Sequence, residues 1–106
     1  MTVYFTAFNT ESSWDGLMIY DGPDATYPLI SSGSNYNNPP TCPDGAWTGT
    51  GAFSAAGQSF TSTDASGALT FVFKSDGSFN YSGWAANITC LQLFLRLMMM
   101  RRGQLP

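Results

Sequence analysis

Residues 2–24 read TVYFTAFNTESSWDGLMIYDGPD, and this stretch decides the fold class. In residues 2–8, Val3, Phe5 and Ala7 alternate with Tyr4, Thr6 and Phe8. Aromatic and β-branched residues at a period of two predict a strand. Residues 16–21 (GLMIYD) repeat the pattern, with Leu17 and Ile19 inward and Met18 and Tyr20 outward. The sequence Asp21-Gly22-Pro23-Asp24 closes that strand, because Gly and Pro supply the backbone angles of a tight turn. Between the two strands runs the short connection Glu11-Ser12-Ser13-Trp14-Asp15. If the strands are neighbours, it brings both carboxylates to one end of the fold.

Outward from this pair, residues 58–63, 67–74 and 84–90 also read as strands. Leu69, Phe71 and Phe73 share one face of the second, and Trp84, Ala86, Ile88 and Cys90 one face of the third, so Trp84 is expected to be buried. Residues 27–31 are a shorter candidate. Residues 33–51, rich in Gly, Ser, Asn and Pro, form a long loop that holds Cys42 and Trp47. No window carries an apolar stripe at a period of 3.6, so the expected class is all-β, an antiparallel sandwich. The domain is expected over residues 1–91. Residues 92–106 (QLFLRLMMMRRGQLP) stand apart as an apolar and basic tail that matches neither a strand end nor a regular helix.

The chain has 106 residues, 43% hydrophobic and 10% charged, which suits a single packed domain. It holds no histidine and no Gly-x-Ser-x-Gly motif, so no imidazole can activate a nucleophile and no catalysis is expected. All seven acidic residues lie between positions 11 and 76, where Lys74 is the one basic residue. Such a body cannot neutralise a row of phosphates, which excludes nucleic acid and favours a cation as partner. No run reaches the roughly 18–20 apolar residues of a membrane span, and the N-terminus lacks the features of a signal peptide. Cys42 and Cys90 are far apart with no CxxC, so one disulfide or two buried thiols remain open.

Glu11, Asp15 and Asp76 sit at loop mouths beside strands. Calcium takes six to eight oxygen ligands at modest geometric precision, so three carboxylates with Ser78 or a nearby carbonyl would suffice. The competing reading is three solvated turn residues. Aromatics in expected loops, namely Trp14, Tyr36, Trp47 and Tyr81, raise carbohydrate binding as the alternative function, with Trp47 the residue best placed to stack on a sugar. Trp14 is instead expected to cap the core.

Residues 5–24 and 67–90 (GALTFVFKSDGSFNYSGWAANITC) together resemble the CUB domain. The shared pattern is an acid after the first strand, a second acid before a strand closing in Tyr-Asp-Gly, then an apolar strand, Ser-Asp, a loop and Gly-aromatic-x-Ala. The Thr41-Cys42-Pro43 loop and the turn from Thr63 to Ala68 are similar to those of bacterial CUB domains. The resemblance implies a jelly-roll β-sandwich acting as a non-catalytic extracellular or cell-surface recognition module. It also implies calcium held by Glu11, Asp15 and Asp76, with Gly77 or Ser78 contributing, and a protein partner gripped through a lysine or arginine. Members of that family have further strands and a cysteine pair upstream of the TVYFTAF strand. The domain is therefore expected to be incomplete at its N-terminus.

Overall fold

The computed structural model describes residues 1–77 and 81–89. The alternating stretches become β1 (Thr2–Asn9), β2 (Gly16–Tyr20), β3 (Ser59–Thr61), β4 (Thr70–Lys74) and β5 (Gly83–Thr89). One sheet has the order β3-β1-β5 and the other pairs β2 with β4, all antiparallel. Among the described residues there is no helix, and therefore none long and apolar enough to cross a membrane. The expected strand at 27–31 is reduced to a single bridge between Leu29 and Tyr20. Cys90 and the tail of residues 92–106 lie outside the described residues, as does Ser78.

The two sheets enclose a common core. Val3, Phe5 and Phe8 of β1 and Phe60 of β3 face Leu17 and Ile19 of β2, with Trp47, Ala55 and Leu69 filling the sides. Phe5 is fully buried, and the rings of Phe8, Phe60, Phe71 and Trp84 surround it at centroid distances of 5.6–6.1 Å. Full burial of such a side chain contributes about 1.5–3 kcal/mol.

The expected alternation of β1 holds only for its first half. Phe5 pairs with Ala86, but Ala7 pairs with Ala85, so Thr6 is an extra residue and β1 bulges. Beyond the bulge the inward face passes from odd to even positions. Phe8 is therefore buried and Ala7 exposed.

Met18 also departs from expectation. It is buried against Cys42 and Ala46, with Tyr20 and Val72 packed alongside, because the 33–51 segment folds across the outer face of β2. Gly16 permits this approach, since a Cβ there would lie 2.6 Å from the Thr41 carbonyl oxygen. Cys42 is a buried free thiol, which burial above all pushes up from its ordinary pKa. No disulfide forms among the described residues.

Three aromatic assignments are corrected. Trp47 is only 9% exposed and belongs to the core, so it presents no ring for a sugar. Its backbone exchanges two 2.9 Å hydrogen bonds with Leu17, which seats the loop on the free edge of β2. Trp14, expected to cap the core, is 50% exposed. Trp84 lies on the inner face as its alternation predicts, touching Phe5 and Phe73, yet remains 40% exposed, β5 being the last strand of its sheet among the described residues.

Asp21, in the turn after β2, ties that end of the sheet to the segment following β3. Its carboxylate accepts hydrogen bonds from the Ser62 hydroxyl at 3.0 Å, the Thr63 N–H at 2.9 Å and the Thr63 hydroxyl. The Thr63 hydroxyl first, then its N–H, hold the carboxyl below its ordinary 3.8. A depressed folded-state value means this stabilisation is present above 3.8 and disappears as pH falls through the folded value. Asp21→Ala is expected to cost about 1 kcal/mol at neutral pH, a modest figure because solvent competes at this site. Urea melts of variant and parent should converge on acidification. A difference independent of pH would show that the ionised carboxylate is not the source.

Candidate metal centre

The connection between β1 and β2 is a hydrogen-bonded backbone turn. The Glu11 carbonyl accepts hydrogen bonds from the Trp14 N–H at 3.2 Å and the Asp15 N–H at 2.9 Å. That Asp15 N–H bond to the Glu11 carbonyl folds the chain back on itself, which brings positions 11 and 15 close together. Asp15 immediately precedes β2, and Gly16 pairs with Lys74 at the end of β4. That register brings the residues after β4 alongside Asp15, and the Asp76 N–H donates to Asp15 Oδ1 at 3.1 Å. One carboxylate oxygen from each of Glu11, Asp15 and Asp76 thus lies within 4.8 Å of the others.

Asp15 is buried and Asp76 exposed, while Glu11 is half-buried with its Oε1 fully covered. Among the described residues that Oε1 has no hydrogen-bond partner. A covered carboxylate oxygen without a donor is costly. Burial first, then the charge of Asp76, a hydrogen bond with Asp76 and the charge of Asp15, push the Glu11 carboxyl above its ordinary 4.5. By linkage, a raised acid stabilises the fold below 4.5, and that contribution is lost as pH rises through the folded value. At neutral pH the ionised Glu11 carboxylate is therefore held less favourably in the fold than in the unfolded chain.

Sequence reasoning missed the residues that hold this turn. Thr48, buried beneath it, donates its hydroxyl to the Asp15 carbonyl at 2.7 Å, with the Glu11 carbonyl 3.3 Å away. The same hydroxyl oxygen accepts the Ser13 N–H at 3.1 Å. Asn38 Nδ2 donates to the Ser13 carbonyl at 2.7 Å. Ser13 has φ +68°, a left-handed conformation that non-glycine residues seldom adopt, and these contacts hold it from both sides. Thr10 contributes from β1's end, its hydroxyl accepting the Gly49 N–H at 3.0 Å. The only cue in the sequence was that Thr48 stands beside Trp47 in a long loop.

The expected ligands therefore divide. Glu11, Asp15 and Asp76 converge. Gly77 follows directly, with φ +78° and its N–H bonded to the Ser75 hydroxyl at 3.1 Å, while Ser78 lies outside the described residues. Trp47 belongs to the core. Beside Asp15 opens a pocket of about 200 Å³, lined also by Asn9, Thr10, Phe73, Ser75, Tyr81 and Gly83.

Three carboxylates form a hard oxygen donor set, and the orphaned Glu11 Oε1 is an atom that a cation would satisfy, so the residues present fit a metal ion. No family model, no curated protein and no solved structure matches the chain.

Proposed function

We propose that the chain is a CUB-like recognition module of jelly-roll type, extracellular and without catalysis of its own. In this reading Glu11, Asp15 and Asp76 hold a calcium ion. The observation that carries it is the convergence of three carboxylates with one covered oxygen that has no partner among the described residues. Calcium is favoured over smaller or softer ions because it accepts oxygen ligands from carboxylates, carbonyls and water with little geometric demand. The bound ion supplies the positive charge that the acidic turn lacks. Asp76, the exposed member, would then offer a carboxylate to a lysine or arginine of a protein partner, a charge-assisted contact.

Isothermal titration of the purified chain with calcium tests the reading. The expected result is one saturable site, with Asp76→Asn weakening affinity by about tenfold or more, since it removes one charged ligand. Magnesium, which demands near-ideal octahedral geometry, should bind more weakly. No saturable calcium binding, or binding that Asp76→Asn leaves unchanged, would overturn it.

A further inference from the structure

We infer that Asp76-Gly77 is a site of spontaneous isomerisation to isoaspartate, a covalent change that takes Asp76 out of the carboxylate trio. An aspartyl-glycine pair can close on itself, because glycine has no Cβ to obstruct its own nitrogen. The glycine nitrogen forms a bond to Cγ of the preceding acid. The Cγ–OH bond breaks, and the hydroxyl leaves as water with the proton from nitrogen. Water then opens the resulting five-membered imide at either carbonyl. Attack at Cγ restores aspartate, while attack at the main-chain carbon leaves the chain running through Cγ. Nothing is oxidised or reduced, and water is the one co-reactant.

The sequence contains four such pairs, Asp15-Gly16, Asp21-Gly22, Asp44-Gly45 and Asp76-Gly77, and the fold separates them. Asp15 and Gly16 are both buried, and Gly16 is paired with Lys74 in the sheet. Gly22 is buried against the Tyr27 ring, and the Asp21 carboxylate is held by Ser62 and Thr63. Asp44 Oδ1 accepts the Asn37 N–H at 2.8 Å, and the buried Gly45 donates its own N–H to the Ser34 carbonyl at 2.9 Å. In these three pairs the ring closes only after local opening, which costs free energy.

Asp76-Gly77 lies past the end of β4, and both residues are exposed. A Cβ on Gly77 would meet nothing within 4 Å, so the attacking nitrogen has room to move. Its N–H donates to the hydroxyl of the exposed Ser75, two positions away, rather than to a distant part of the fold. The Asp76 carboxyl is hydrogen-bonded to that of Glu11, whose like charge works against the contact. The pair therefore reacts from the folded state. Isoaspartate lengthens the main chain by one carbon and shortens the side group by one. Both changes draw the carboxylate away from Glu11 and Asp15 and displace the N–H that Asp76 donates to Asp15.

The inference bears on the same trio as the calcium reading but does not rest on a bound ion. It is tested by ageing the purified full chain with chelator present, well below its melting temperature, in water enriched in heavy oxygen, followed by peptide mapping. Isoaspartate carrying heavy oxygen is expected at Asp76 at least about tenfold faster than at Asp15, Asp21 or Asp44, since those await local opening. In denaturant the four rates should converge. Asp76→Glu should abolish the reaction at this position, because its closure needs a six-membered ring. No isoaspartate at Asp76, or four equal rates in the folded chain, overturns the inference. Calcium titration is a separate readout, so failure here and failure of the metal reading are distinguishable.

Discussion

Trp47→Ala is expected to lower stability by about 3–5 kcal/mol, the usual cost of deleting a large aromatic from a core. Typical domain stability is only about 5–15 kcal/mol, so the variant would sit near the limit of folding. The Trp47 ring packs edge-on against Phe60 at 5.0 Å, and its indole N–H donates to the Ile30 carbonyl at 3.0 Å. Truncation empties that space and strands the carbonyl. Tyr36→Ala is the control, because Tyr36 is exposed, with its ring against Phe53, and it should cost about 1 kcal/mol or less. Guanidinium unfolding reads both. A small loss for Trp47→Ala, accompanied by loss of retention on polysaccharide, would restore the surface role that its position in a polar loop first implied.

Thr48→Val is the second large effect, because it keeps the shape and removes the hydroxyl. The Asp15 carbonyl loses its 2.7 Å donor and the Ser13 N–H its 3.1 Å acceptor, both beneath the acidic turn. The Asp15 carbonyl keeps a longer bond from the Thr10 hydroxyl at 3.3 Å, so the loss is expected to cost about 1–3 kcal/mol in all. Released from Thr48, the left-handed Ser13 relaxes and the Glu11 and Asp15 carboxylates separate. Calcium affinity should then fall about tenfold or more, measured well below the melting temperature. Thr48→Ser should restore binding. Phe60→Leu separates positioning from general weakening, since it loosens the core without touching the turn and should leave affinity intact. Equal affinity in Thr48→Val and parent would show that the turn holds its shape without the hydroxyl.

Both predictions concern the same loop, and it is here that the sequence was least legible. A run of Gly, Ser, Asn and Pro announces a loop, but nothing in its local pattern says what the loop crosses. Trp47 becomes core and Thr48 becomes the support of the turn because residues 33–51 fold back over β2. The same fold buries Met18 on the face expected to meet solvent. The bulge at Thr6 was hidden for a related reason. Its partner residues, Phe5 with Ala86 and Ala7 with Ala85, are some 80 positions apart in the chain. The burial expected for Trp84 failed on strand order, because alternation identifies which face is apolar but not whether another strand lies beside it.

From the sequence alone came the all-β class, the places of all five described strands, and the acidic trio. Each follows from local chemistry: period-two alternation, turn residues, and short acids at strand ends. The convergence of Glu11 and Asp15 is local as well, being a single backbone turn from Glu11 to Asp15. Only the tertiary structure decided that Asp76 joins them, through the pairing of Gly16 with Lys74 across the sheet. It also decided which tryptophan is core. Those outcomes depend on which distant segments meet, and a residue's burial is a property of its neighbours in space rather than of its neighbours in the chain.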